Sequence, residues 1–263
     1  MKGPNVTNPV KVSVKNLAKS FATPTGTVEV IRDLTFDVFE GELVSIVGPS
    51  GVGKTTLLRC LSGLDTLSRG EARLDDRLID GPPNELALVF QDYSRSLMPW
   101  LTVRKNVELP LRHLGLSAEE RHARSDEALA AVGLAQAAQK YPWQLSGGMQ
   151  QRVAIARAVA YRPEVLIMDE PFASVDAQTR FELEDLCLRI RDEYRMTVMV
   201  VTHDIDEAVY LSDRIVVIGK KPAEVMSIVD VPLAFPRDQI RTRADVSFGE
   251  LRGHVLELIQ AAH

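Results

Sequence analysis

Short apolar runs separated by turn residues dominate the first ninety positions of the chain. Runs of this length, rich in Val, Ile and Phe, are typical of β-strands. We interpret residues 10 to 46 as an antiparallel N-terminal sheet, followed by two further strands. The predicted strands are Val10 to Val14, Val28 to Ile31, Leu34 to Phe39, Leu43 to Val47, Leu74 to Ile79 and Leu86 to Phe90.

From Val103 to about Ala160 the apolar positions follow helical spacing, and the segment is rich in Ala, Leu, Arg and Glu. This change predicts an α-helical subdomain, at about residues 92 to 160, inserted between core strands. Beyond it, buried-type strands alternate with helices, which predicts a parallel sheet. These elements are the strands Val165 to Met168, Thr197 to Val201 and Arg214 to Ile218, and the helices Gln178 to Tyr194 and Asp204 to Leu211.

The pattern as a whole predicts one α/β domain over residues 10 to 263. Residues 1 to 9 are polar with Gly and Pro, and we expect them to be flexible and to lack a signal peptide or an anchor. No stretch approaches the roughly 18 apolar residues of a membrane span, so we expect a cytoplasmic protein. A terminal amphipathic helix is expected to pack on the core through Phe248, Leu251, Val255, Leu258 and Ile259.

Composition narrows the function classes only slightly. The chain is 45% hydrophobic and 25% charged, as ordinary globular proteins are, and its formal net charge of −5 gives no reason to expect nucleic-acid binding. Cys60 and Cys187 lie in apolar surroundings without a CxxC pattern or a histidine at metal spacing. We interpret both as reduced thiols that pack in the core.

A glycine-rich stretch between a predicted strand and a predicted helix carries the first chemical signal. It fits the pattern G-x-x-x-x-G-K-[ST], whose backbone N–H groups cradle phosphates. Lys54 supplies a charge for the β- and γ-phosphates, and Thr55 offers a hydroxyl to Mg²⁺. An ordinary glycine-rich turn before a helix is the alternative. The expected nucleotide contacts are Gly48, Pro49, Ser50, Gly51, Val52, Gly53, Lys54, Thr55 and Thr56.

Two adjacent carboxylates follow the buried strand at Val165 to Met168. Successive residues at the end of a strand point in different directions, so the two acids can serve different partners. We expect Asp169 to hold Mg²⁺ and Glu170 to act as general base on the attacking water. Alone, the pair is a weak signal, because a strand must end in something polar.

Ser146, Gly147 and Gly148 open a strongly helical segment, so a hydroxyl and free N–H groups meet the positive end of a helix dipole. The surrounding letters, L-S-G-G-M-Q-Q-R, resemble the signature of ABC transporter ATP-binding subunits. The resemblance covers residues 10 to 259 and implies a P-loop NTPase fold of the ABC type. It also implies ATP and Mg²⁺ as cofactors and a dimer in which two chains enclose two ATP molecules.

Four further residues take roles from the resemblance. Phe21 is implied to stack on adenine, Gln91 to join Mg²⁺ and the nucleophile to the helical subdomain, and Asp176 to lie in a loop that crosses between protomers. His203 matches a switch histidine that senses the γ-phosphate. Taken singly, such residues are more often core, cap and turn residues. The loop with Asp176 reads A-S-V-D where the family more often has S-A-L-D.

Finer similarity points to the nitrate, sulfonate and taurine importers. It rests on the stretches Gln91 to Trp100, Asp169 to Phe172, Asp176 to Arg180, Thr202 to Ala208 and Phe235 to Asp238. The implied protein is a peripheral ATPase on the cytoplasmic face of the inner membrane. Its partners are a second copy, separate membrane permease subunits and, indirectly, an extracytoplasmic solute-binding protein. An exporter ATPase or an ABC ATPase without a transport role are the alternatives.

The loop after Gln91 carries several large apolar residues. We expect Leu97 and Met98 to line a groove that accepts a short helix of a membrane subunit, as the family implies. Trp100 is equally consistent with lining that groove and with packing under the helical subdomain.

Overall fold

The structure is a computed structural model that describes residues 8–24, 26–92 and 96–261. Flexibility was expected for residues 1–9, of which residues 1–7 lie outside the described residues, as do residues 93–95 of the loop after Gln91.

One twisted mixed sheet of ten strands organises the described chain, in the order β5-β4-β1-β2-β10-β9-β3-β8-β7-β6. Antiparallel pairing joins β1 to β2 and to β4, whereas β9, β3, β8, β7 and β6 run parallel. The strands are β1 (Val10–Thr23), β2 (Gly26–Phe39), β3 (Leu43–Val47), β4 (Arg69–Leu74), β5 (Arg77–Leu78), β6 (Leu86–Val89), β7 (Val165–Asp169), β8 (Thr197–Thr202), β9 (Arg214–Gly219) and β10 (Ala223–Asp230).

The parallel strands form the centre because their residues are apolar on both faces. Every residue of β3, β7 and β8 is buried, as strands covered by helices on both sides require. In parallel strands the carboxyl ends meet at one edge of the sheet. Residues that follow β3, β6, β7 and β8 therefore lie close to one another.

The N-terminal strands differ from the expectation in their extent. Two strands of 14 residues each replace three short ones, and register shifts along their pairing bend them. The single strand expected at Leu74 to Ile79 is wrong: Asp75 and Asp76 adopt positive φ and form the turn of a hairpin between β4 and β5. Strand β10, which pairs with both β2 and β9, was not expected.

Helices cover the sheet and fill the insertion between β6 and β7. In its described residues, the insertion is held together by buried apolar side chains of three helices, among them Val107, Leu129 and Val153. Ser117 and Glu120 form a capping box at the second of these helices. The helices are α1 (Lys54–Leu61), α2 (Val103–Glu108), α3 (Ala118–Ala131), α4 (Gly147–Ala160), α5 (Ala177–Tyr194), α6 (Ile205–Leu211) and α7 (Val246–Ala261), with short 3-10 turns at Pro110–His113, Ala135–Ala137 and Pro142–Gln144.

The loop before α2 places Leu97 and Trp100 in opposite environments. Leu97 is only 2% exposed and belongs to the core, so its expected place in a surface groove is wrong. Asn106 fixes the loop, since its side chain accepts from the Met98 N–H at 2.7 Å and donates to the Met98 carbonyl at 3.1 Å. Trp100 is 72% exposed and does not pack under the helical segment.

The C-terminal helix packs on the core as expected, through buried Phe248 and Val255. Both cysteines are free and buried, and burial raises the pKa of Cys60 to about 11 and that of Cys187 to about 12. Across residues 8–24, 26–92 and 96–261, no helix combines the length and the apolarity that crossing a membrane requires.

Candidate nucleotide-binding site

The glycine-rich loop leaves β3 and enters α1, as its sequence predicts. A Cβ at Gly48 would lie 2.3 Å from the Ile218 carbonyl oxygen, so only glycine lets the loop pass this close to β9. Gly53 precedes α1 with φ 114°, a conformation that side chains rarely adopt. The N–H groups at the start of α1 therefore converge around a space suited to an anion.

Lys54 lies at the centre of this loop with little exposure. Its ammonium donates to the Gly48 carbonyl at 2.7 Å and lies 4.0 Å from Glu170 Oε1. Burial lowers the pKa of Lys54, while Glu170 and Asp169 act in the opposite direction. A buried cation held by carbonyl oxygens can exchange those contacts for phosphate oxygens.

Asp169 and Thr55 form the part of the site that fits a divalent cation. Burial raises the pKa of Asp169, and the hydroxyl of Thr55 acts in the opposite direction. Asp169 Oδ1 is buried without a hydrogen-bond partner. A buried carboxylate oxygen beside a hydroxyl is a set of hard oxygen donors that suits Mg²⁺ completed by water and phosphate oxygens. Within the described part of the chain, no cluster of three or more His, Cys, Asp or Glu forms an all-protein metal cage.

Glu170 and His203 meet at the ends of the neighbouring strands β7 and β8. The His203 Nδ1 atom contacts Glu170 Oε2, and the backbone N–H of Glu170 donates to the Val201 carbonyl at 2.8 Å. Glu170 adopts φ 47°, uncommon for a non-glycine residue, so its side chain turns away from the strand direction. The carboxylate thereby lies between Lys54 and the imidazole.

Gln91 follows β6 and Phe21 is part of β1, and these two strands lie on opposite sides of β3 in the sheet. Gln91 is exposed just beyond β6, which pairs with β7 so that Val89 is opposite Met168. It therefore lies at the same sheet edge as Asp169. Phe21 is 38% exposed on β1, and the Lys19 ammonium lies 4.7 Å from its ring centroid. Its exposed ring offers a stacking surface for a planar base.

The residues of the L-S-G-G stretch form a different centre. Ser146 caps α4 by accepting from the Met149 N–H at 3.4 Å. A Cβ at Gly148 would lie 2.4 Å from Thr179 Cγ2, so glycine lets α4 touch the start of α5. Asp176 caps α5, where the Thr179 N–H donates to it at 3.0 Å and lowers its pKa.

The structure thus brings Lys54, Thr55, Asp169, Glu170 and His203 together. It does not place Ser146 among them: the side chains near Ser146 bond to residues 132 to 145 and to α5. The sequence analysis did not predict the part that Thr179 plays, which is to contact Gly148 and to bind the side chain of Asp176. Its signal was the D-x-x-T spacing after Val175, which is typical of a helix N-cap with a polar N3 residue.

Comparison with known proteins decides the family. The model of the ABC transporter family matches residues 31–173, more than half of the chain. The chain belongs to the ABC transporter family. It is therefore the ATP-binding, ATP-hydrolysing subunit of a transporter, with the P-loop ABC fold that its sequence predicted.

Among its curated relatives is an uncharacterised ABC transporter ATP-binding protein of Methanocaldococcus jannaschii, 44% identical over 95% of this chain and 92% of the relative. The bicarbonate transport ATP-binding protein CmpD of Synechococcus elongatus is 43% identical over 94% of this chain and 89% of its own. The solved ATP-binding cassette MJ0796, a dimer in a post-hydrolysis state bound to ADP and Pi, is 35% identical with a TM-score of 0.74, covering 84% of this chain and 98% of that one.

Proposed function

We propose that residues 10 to 263 form one ATPase domain that binds Mg²⁺ and ATP at the loop from Gly48 to Thr56. The main observation that supports this proposal is the cluster in which Glu170 lies between buried Lys54 and His203. Mg²⁺, when bound by Thr55 and Asp169, supplies charge stabilisation to the phosphates. Phe21 receives the adenine, and Gln91 links the site to the helical segment.

Glu170 is suited to accept a proton from a water aligned with the γ-phosphate. Its position at a strand end, fixed by a backbone hydrogen bond to Val201, keeps the carboxylate oriented. His203, on the adjacent strand end, holds Glu170 through the imidazole and can respond when the phosphate leaves. Lys54 offsets the negative charge that develops during hydrolysis.

We further propose that two copies enclose ATP, with Ser146, Gly147, Gly148 and Asp176 of one chain completing the site of the other. Two features support this. The L-S-G-G stretch caps a helix away from Lys54, and a solved neighbour at 35% identity is a dimer. A helix start with free N–H groups is a ready site for a γ-phosphate presented by a partner.

The transported solute is proposed to be a small anion, taken up by import. The support is the similarity to bicarbonate transport proteins, together with the nitrate, sulfonate and taurine stretches of the sequence. In this role the chain lies at the cytoplasmic face of the inner membrane, bound to permease subunits, with a solute-binding protein acting on the other side. The formal charge of −5 disfavours the alternative of a nucleic-acid-linked ABC ATPase.

The direct test is ATPase activity of the complete transporter in vesicles. Bicarbonate, nitrate, sulfate, a sulfonate or taurine is added on the extracytoplasmic side, each with the solute-binding protein. We expect one of the anions or taurine to raise ATP hydrolysis several-fold. The same solute should accumulate on the side of the membrane that holds ATP. A complex carrying Glu170→Gln, which keeps the fold, serves as the control without turnover. Stimulation from the ATP-facing side alone would support an exporter instead.

A further inference from the structure

The turn between β9 and β10 lies directly beside the nucleotide-binding loop. The end of β9 contacts the nucleotide-binding loop, since the Ile218 carbonyl oxygen lies 2.3 Å from the position that a Cβ of Gly48 would take. Three residues further on, the Lys221 ammonium lies 3.8 Å from the Cβ position of Gly51. Gly51 has φ +72° and no side chain, so no side chain at that position separates the ammonium from the loop backbone.

The Lys221 ammonium forms no ion pair in the part of the chain that the structure describes. No carboxylate there lies within ion-pair distance of its ammonium, and it donates no hydrogen bond to those residues. The nearest acid along the chain, Glu224, is already paired with Lys220 at 2.6 Å and with Arg32 at 3.0 Å. An exposed ammonium beside a phosphate-type loop, without a protein counter-ion, is available to an external anion.

The backbone that carries Lys221 is held at both ends. Gly219 and Ala223 are buried, Gly219 pairs with Glu224 across the hairpin, and Ala223 pairs with Ile31 of β2. Strand β9 in turn pairs with β3, the strand that leads into Gly48. The base of the lysine side chain is therefore fixed relative to the loop, while its exposed head is free to adjust.

We propose that Lys221 contacts the phosphate chain of the bound nucleotide, as a second cation beside Lys54. The inference rests on the proposed nucleotide site at Gly48 to Thr56. Lys54 approaches from the buried side of the loop, where it donates to the Gly48 carbonyl, and Lys221 approaches from the exposed side. Because the contact is exposed, it changes affinity modestly, by about three- to tenfold, and salt weakens it.

The test is equilibrium binding of ATP, ADP and adenosine to the isolated full-length subunit without Mg²⁺, at low and high salt. Lys221→Ala should raise the Kd for ATP about three- to tenfold at low salt, with a smaller effect at high salt. Lys221→Arg should keep wild-type affinity, and Lys221→Glu should weaken ATP beyond the Ala variant. Adenosine, which lacks phosphate, should bind all four proteins equally.

Lys220→Ala is the matched control, because it removes the same charge from the same turn but leaves Lys221 in place. An unchanged Kd for ATP in both Lys221→Ala and Lys221→Glu overturns the inference. So does a Lys220→Ala effect as large as that of Lys221→Ala, since it would reflect net charge alone. Lys54→Ala separates failure of the nucleotide site from failure of the Lys221 contact. Normal ATP binding by Lys54→Ala would refute the proposed nucleotide site. If Lys54→Ala loses ATP binding while the Lys221 variants bind ATP as wild type does, only the Lys221 contact is refuted.

Discussion

At the scale of single residues, the site depends on carboxylates with different surroundings. Asp169 is buried beside Thr55 and has one oxygen without a partner, whereas Glu170 contacts His203 and lies near Lys54. Neighbours in sequence thus face different chemical tasks. The sequence predicted that the two acids point in different directions, but it did not predict the positive φ of Glu170, which sets the direction of that side chain.

Glu170→Gln tests the general base. Gln has the same length and can occupy the same backbone conformation, but its amide does not accept a proton. We expect ATP affinity to change less than twofold and hydrolysis to fall by about two to four orders of magnitude. Single-turnover hydrolysis and nucleotide binding measured on the same preparation check this. Hydrolysis at close to the wild-type rate would assign the base to another group.

Glu207 gives a pH prediction. Its carboxylate accepts from the Thr202 hydroxyl at 2.6 Å, directly before His203, and Arg180 Nε lies 3.6 Å away. Burial raises the pKa of Glu207 from 4.5 to about 7. The folded state therefore holds the proton more tightly than the unfolded chain, so this contribution to stability is complete below pH 4.5 and is lost as pH rises through 7.

Glu207→Gln removes this titration and keeps an acceptor for Thr202. Relative to the variant, the wild type should lose up to about 3 kcal/mol of unfolding free energy between pH 5 and pH 8. Denaturant unfolding of both nucleotide-free proteins at several pH values measures the difference. Glu182→Gln, which changes an exposed carboxylate on α5, is the control. A constant difference between wild type and Glu207→Gln would show that Glu207 titrates normally.

At the scale of elements, periodicity predicted the fully buried strands well, and the β4–β5 hairpin and β10 poorly. The buried strands β3, β7 and β8 were predicted to within a residue or so, because long apolar runs have only one favourable environment. The turn at Asp75 and Asp76 was missed because two polar residues fit the exposed face of a strand as well as a hairpin. Strand β10 follows Pro222 and is only partly buried, so its alternation was weak.

The loop before α2 shows a limit of a different kind. The apolar residues of this loop did not show which side chain faces the core. Their orientation depends on Asn106, eight residues further along the chain in α2, whose side chain binds the Met98 backbone. Leu97 is buried and Trp100 is exposed as a result. Of these two residues, Trp100 and not Leu97 is therefore accessible to a partner protein.

Trp100→Ala tests that surface. We expect co-purification with the permease subunits to fall about tenfold, because exposed aromatic residues at an interface contribute strongly to binding. Melting temperature and ATP binding of the isolated subunit should stay unchanged. Trp143→Ala is the matched control, since Trp143 is 71% exposed against 72% for Trp100. Normal assembly of the Trp100→Ala complex would remove this loop from the interface.

Leu97→Ala should behave in the opposite way. It creates a cavity among buried side chains of the helical segment, and we expect a loss of about 2 to 5 kcal/mol of unfolding free energy. Denaturant unfolding of the isolated subunit measures this loss. A variant as stable as wild type that fails to assemble would return Leu97 to the interface.

At the scale of the whole molecule, the proposed dimer assigns two half-sites to each chain. The loop at Gly48 to Thr56 and the two acids at the end of β7 form one, and the capped start of α4 forms the other. Sequence motifs predicted both half-sites, because the residue types have direct chemical reasons to be there. We propose that the two half-sites combine across two chains.

ATP-dependent dimerisation of the Glu170→Gln subunit tests this arrangement most directly. Sedimentation velocity with and without ATP reports mass, and fluorescent ATP reports binding. Adding Ser146→Arg places bulk at the second half-site, and Ser247→Arg adds the same side chain to the exposed start of α7 as the control. We predict an ATP-dependent dimer for Glu170→Gln and for its Ser247→Arg form, and an ATP-bound monomer for its Ser146→Arg form. A Ser146→Arg protein that still dimerises with ATP, or that no longer binds ATP as a monomer, would contradict the account.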